Sequence, residues 1–142
     1  MSKPIDLVML VDDNDTDNFI NKRIIELTGF ASSANIIIKN SGKSALEYLK
    51  QEENNIEKLP DIIFLDINMP IVDGFVFLYE FEHYPQQVKD KCKIAILSSS
   101  DNKRDIDKIV NNGFVIKFIT KPLTEKALAE VKEILSKSEI IR

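Results

Sequence analysis

Residues 61–74 read DIIFLDINMPIVDG. Four apolar residues, Ile62 to Leu65, run directly into a carboxylate, Asp66, and then into a segment marked by proline and glycine. A short continuous apolar run bounded by turn signals suits a strand buried on both faces, as in a parallel sheet. The stretch LVMLVDDND from Leu7 repeats the pattern, with Asp12 and Asp13 at its end. Two buried strands that each finish in acid raise one question: whether those acids meet in space.

Working outward, five runs have strand length and composition: Ile5–Leu10, Asn35–Lys39, Asp61–Leu65, Lys93–Leu97 and Phe114–Ile119. Helical periodicities lie between them. Phe19, Ile20, Ile24 and Leu27 share a face, with Asp15 or Thr16 as N-cap and Gly29 as the stop. Ala45, Leu46 and Leu49 form a second stripe after a capping Ser41, and Phe75, Leu78 and Phe81 a third after Gly74. Ile106, Ile109 and Val110 mark a helix over residues 102–113. Ala127, Leu128, Val131, Ile134 and Leu135 mark a last one, with Thr124 as its cap. The polar segment QEENNIEKLP (51–60) reads as a loop or helix tail, and Lys89, Asp90, Lys91 and Lys93 read as a solvated loop.

Five βα units in succession predict an α/β fold: a flavodoxin-like, doubly wound, five-stranded parallel sheet, (βα)5, in the order 2-1-3-4-5. The expectation is one domain over residues 1–142, with a core of about 5–137.

Composition narrows the partners. A formal net charge of −4 argues against a nucleic-acid binder that works by neutralising phosphates. A single cysteine, Cys92, allows neither an internal disulfide nor a thiolate cluster. The N-terminus is no signal peptide, and no run approaches the roughly 18 apolar residues of a membrane span. The expectation is a reduced, cytoplasmic protein.

In a doubly wound sheet, ligands bind beyond the carboxyl ends of the strands, where strand order reverses. Here those ends carry Asp12 and Asp13, Asp66, Ser98, and Thr120-Lys121-Pro122. Three acids at one rim would repel, and a hard divalent cation with oxygen ligands, such as Mg²⁺, is their natural counter-ion. A hydroxyl from Ser98 and an ammonium from Lys121 complete a set equipped to transfer a phosphoryl group to a carboxylate. Taken singly, Asp12 and Asp13 could equally cap the first helix, and Ser98, Lys121 and Phe118 could be loop, surface and core residues.

In their order on successive βα units, VDDN, LDINMPIVDG, ILSSSDN and FITKP resemble the receiver domain of two-component response regulators, over nearly the whole chain. The resemblance implies Asp66 as phosphoacceptor, taking its phosphoryl group from a sensor histidine kinase or a histidine phosphotransfer protein. It implies Mg²⁺ held by Asp13 and Asp66, by Asp12 through water, and by the backbone carbonyl of Asn68. Ser98 and Lys121 would bind phosphoryl oxygens. Ser98 and Phe118 would form the switch, and Phe118 stands where tyrosine is frequent. The bond before Pro122 would be cis, Met69, Pro70 and Gly74 would form the turn after the acceptor, and Asn68 and Ser100 would tune the dephosphorylation rate. A receiver of this kind is not a conventional enzyme. With the chain ending soon after the last helix, the expectation is a stand-alone module, monomer or weak dimer. It would signal by phosphorylation-dependent binding to an unknown downstream target protein, or by relaying phosphate, without nucleic acid or membrane.

Rival readings fare worse. An aspartate-nucleophile phosphatase needs a second aspartate two residues on, where Asn68 stands. SGKS at 41–44 lacks the phosphate-loop glycine, since position 37 is Ile37. The calcium-loop pattern from Asp13 fails at Asn18 and Ile24. His83 has no second histidine, and the four glycines form no nucleotide-binding loop.

Overall fold

The computed structural model of the chain describes residues 7–69, 73–99, 107 and 113–141, with side chains as far as residue 137. Strands β1 (Val8–Val11), β2 (Ile36–Lys39), β3 (Ile62–Asp66), β4 (Lys93–Ser98) and β5 (Val115–Thr120) form one sheet in the order β2-β1-β3-β4-β5. All four pairings are parallel. This is the doubly wound order read from the sequence.

Alternation along the strands divides the core. Met9, Val11, Ile63, Leu65, Ile94 and Ile96 face one layer, with α2 (Gly42–Gln51), α3 (Gly74–Glu82) and the short α4 (Gln86–Lys91). Val8, Leu10, Ile62, Phe64, Ala95 and Leu97 face the other, with α1 (Asp15–Leu27) and α5 (Glu125–Ile141). Central β1, β3 and β4 are buried almost throughout. At the edges, the residues of β2 and most of those of β5 are only partly covered, so burial on both faces does not extend to all five strands.

Helix α1 departs from the expected face. Phe19 and Leu27 are exposed, and Asn18, Asn21 and Ile25 are buried in their place. The N-cap is Asn14, one residue before Asp15; its Oδ1 accepts the Asp17 N–H at 2.9 Å. The far end closes as a Schellman turn, with Gly29 at φ 73°, Phe30 N–H on the Ile25 carbonyl and Gly29 N–H on that of Glu26. Ser41 and Thr124 cap α2 and α5 as expected.

The segment read as a solvated loop is α4, followed at once by β4. Val88 and Cys92 are fully buried, Lys91 pairs with Asp61 at 2.5 Å, and Lys89 Nζ donates to the Glu82 carbonyl. Within 51–60, α2 ends at Gln51 and a single 3-10 turn spans Ile56–Lys58, pinned by Tyr48 Oη on the Lys58 carbonyl. Of the helix expected over 102–113 only residues 107 and 113 are described, and Ile5, Pro70 and Ser100 lie outside the described residues.

Candidate functional site

The register brings the acids together. Val11 pairs with Leu65, so the next residues along β1 and β3, Asp12 and Asp66, emerge side by side at the carboxyl rim. Asp66 pairs in turn with Leu97, and Ser98 with Thr120. The carboxylates of Asp12, Asp13 and Asp66 each offer an oxygen within 4.8 Å of the others. Asp12 and Asp66 are buried and Asp13 is exposed, which gives the cluster an open side.

Each buried acid is held. Asp12 Oδ1 accepts the Asn14 N–H at 2.9 Å, and its backbone carbonyl accepts Asn18 Nδ2 at 2.9 Å. Asp66 Oδ1 accepts the Asn68 N–H at 3.1 Å, so the turn after β3 fixes the carboxylate's orientation. Behind that turn, Gly74 N–H donates to the Ile67 carbonyl at 3.1 Å. A Cβ at Gly74 would lie 2.6 Å from Ile67 Cα, so only glycine permits this approach.

Lys121 delivers the one positive charge described at the rim. Its Nζ lies 2.7 Å from Asp12 Oδ2, 3.0 Å from Asp17 Oδ2 and 3.6 Å from Asp66 Oδ2. The backbone aims it: Lys121 N–H donates to the Ser98 carbonyl at 2.7 Å, and Leu123 N–H meets Asn21 Oδ1. The Lys121–Pro122 bond is cis. Ser98 is fully buried at the end of β4. Phe118 is half-buried against the α2–α3 layer, and the Asn68 side chain is exposed.

The electrostatics follow from this packing. Burial pushes the Asp66 carboxyl up to about 6; the Asn68 N–H opposes it, the Asp12 charge adds to it and Lys121 pulls back. Burial alone would lower the Lys121 ammonium, but its bonds to Asp12 and Asp17 and the Asp66 charge outweigh that and raise it. An all-oxygen donor set with unbalanced negative charge and an open side fits a hard divalent cation such as Mg²⁺.

Asp17 and Asn21 have no place in the sequence reading of the site, and Asn18 enters it only as a mismatch to a calcium loop. Asn18, Asn21 and Ile25 share the helical spacing of a buried face, which a search for apolar residues alone passes over.

An open α/β sheet with an acidic pocket at its carboxyl rim, faced by a lysine, defines the class. Residues 8–133 match the model of the response regulator receiver domain, and the chain belongs to that family. A two component response regulator from Cytophaga hutchinsonii superposes with a TM-score of 0.85 at 34% identity, covering 94% of this chain and 98% of that one. A probable methanogenesis regulatory protein, FilR2 of Methanothrix harundinacea, is 27% identical over 89% of this chain and 81% of its own length. The sensor histidine kinase CheAY of Helicobacter pylori is 32% identical over 88% of this chain, which spans 14% of that protein. Among the described residues, no helix is long and apolar enough to cross a membrane.

Proposed function

We propose that this protein is a signalling receiver that takes a phosphoryl group on Asp66 from a phosphohistidine donor, in a Mg²⁺-dependent reaction. The observation that carries the reading is the convergence of Asp12, Asp13 and Asp66 within 4.8 Å, with Lys121 Nζ 3.6 Å from Asp66. The match to a protein named as a sensor histidine kinase supports that donor class.

In this mechanism Asp66 attacks phosphorus as the P–N bond of the donor breaks, and the imidazole, already protonated on its other ring nitrogen, leaves as neutral histidine with the bonding pair on the freed nitrogen. With its carboxyl near 6, Asp66 is mostly ionised at neutral pH and is a competent nucleophile. The Asn68 N–H on Oδ1 leaves Oδ2, the oxygen nearer Lys121, as the attacking atom. Lys121 and the Ser98 hydroxyl donate to the phosphoryl oxygens as charge builds there. Asp13, Asp66, the Asn68 carbonyl and, through water, Asp12 would hold Mg²⁺, which when bound neutralises the acids and the incoming phosphoryl charge.

The phosphoryl group replaces the single carboxylate charge of Asp66 with about −1.5 to −2 charges at the rim, and Ser98 and Phe118 would relay that change to a face that binds a target protein or a phosphotransfer histidine. Asn68 and Ser100 would set the lifetime of the phosphorylated state. The reading implies a cytoplasmic module, not a conventional enzyme.

Phosphate incorporation from acetyl phosphate, with and without Mg²⁺, tests it. Label should require Mg²⁺ and vanish in Asp66→Asn; label that survives in that variant would move the acceptor elsewhere.

A further inference from the structure

Lys121 has three N–H donors and three carboxylates around it, and it does not share itself evenly. Asp12 at 2.7 Å and Asp17 at 3.0 Å lie within charge-assisted hydrogen-bond range; Asp66 at 3.6 Å lies beyond it. Asp17 stands in the first turn of α1, its backbone fixed by the Asn14 cap, and Asn14 N–H also holds Asp12. One cap residue therefore orients both rivals for the lysine.

We infer that Asp17 is a positioning residue of this site: it anchors the Lys121 ammonium away from Asp66 and so sets how readily Asp66 accepts a phosphoryl group. The inference rests on Asp66 being the phosphoacceptor. Asp17 lies outside the triad of converging acids, so a cation among Asp12, Asp13 and Asp66 would draw on Asp12's charge and leave Asp17 as the competing anchor. A contact formed before reaction that must loosen as Lys121 turns to the phosphoryl oxygens stabilises the ground state and slows the step. The Asp17 side chain is 36% exposed, so water screens the pair and the effect is about two- to fivefold.

The test compares Asp17→Asn with Asp15→Asn. Asp15 carries the same charge two residues away, but its carboxylate accepts from Asn40 Nδ2 at 3.3 Å. Two quantities are measured: the rate constant for Mg²⁺-dependent labelling by acetyl phosphate, and the ¹⁵Nζ and ¹³Cε NMR signals of Lys121. Asp17→Asn should label about two- to fivefold faster and shift the Lys121 signals, while Asp15→Asn stays within about 1.5-fold of wild type with those signals in place. Unchanged or slower labelling in Asp17→Asn, equal acceleration in Asp15→Asn, or unmoved Lys121 signals would overturn the role of Asp17 alone. A wild-type protein that takes no label would overturn the phosphoacceptor reading, and this role with it.

Discussion

Lys121 Nζ stands 3.6 Å from Asp66 Oδ2, close enough for charge to act and too far for a hydrogen bond. The lysine is spent on Asp12 and Asp17, so Asp66 keeps only part of a counter-ion. Burial, with the neighbouring Asp12 charge adding to it, therefore outweighs the Asn68 N–H and Lys121, and the carboxyl sits at about 6.

That shift has a sign in stability. A carboxyl whose folded pKa lies above its unfolded value of 3.8 binds its proton more tightly when folded. Its charged form then costs the folded state about 1–3 kcal/mol above pH 6, and the cost fades as pH falls toward 4. Asp66→Asn should accordingly be more stable than wild type at pH 7.5 without divalent cations, and lose that gain near pH 4. Urea midpoints at the two pH values check this. A gain of equal size at both, or none at pH 7.5, would contradict it.

A cation that neutralises Asp66 should reverse the same cost. Mg²⁺ at a hundred times its dissociation constant stabilises the fold by about 2.7 kcal/mol. Thermal unfolding should therefore show a Tm that rises with Mg²⁺ in wild type. In Asp13→Asn, which removes the exposed ligand while leaving the buried pair intact, the rise should be much smaller. Equal Mg²⁺ shifts in both proteins would remove Asp13 from the site.

Much of this was legible in the residues. Apolar runs that end in acid, spaced by amphipathic segments, specify the parallel sheet, and the strand order then puts Asp12 and Asp66 side by side. The inner face of α1 was not legible. Phe19, 69% exposed, and Leu27, 67% exposed, mimic a core stripe, while the buried Asn18 donates Nδ2 to the Asp12 carbonyl, its Oδ1 finding no partner among the described residues, and the buried Asn21 Oδ1 accepts the Leu123 N–H. A buried polar group is tolerated once it is bonded, and apolar periodicity is blind to such partners, whether the backbone carbonyl of Asp12 six residues from Asn18 or the Leu123 N–H 102 residues from Asn21. Asp17 was hidden for the same reason, since its lysine is 104 residues away.

Cys92 offers an independent check on the packing of α4 against the sheet. It is fully buried at the entry to β4, and burial pushes its thiol up to about 12. The thiolate is the reactive form, so at pH 8 iodoacetamide should modify the folded protein at least about a hundredfold more slowly than the urea-unfolded chain. Rapid alkylation without urea would mean that α4 opens readily and that Val88 and Cys92 are not the anchors described.

Gly74 couples the fold to the site most directly. Its Cα approaches so near the turn after Asp66 that an added Cβ would meet Ile67 Cα at 2.6 Å and Cγ2 at 2.7 Å. Backbone cannot yield as a flexible side chain does, so Gly74→Ala should cost about 1–3 kcal/mol. Part of the strain should fall on the turn whose Asn68 N–H orients Asp66. The urea midpoint should drop with an unchanged slope, the mark of lost stability without a change in the unfolded ensemble. Labelling by acetyl phosphate should slow even under conditions where the variant is fully folded. A variant as stable as wild type would show that the turn relaxes freely, and one that is less stable but labels normally would show that Asp66 is oriented independently of Gly74.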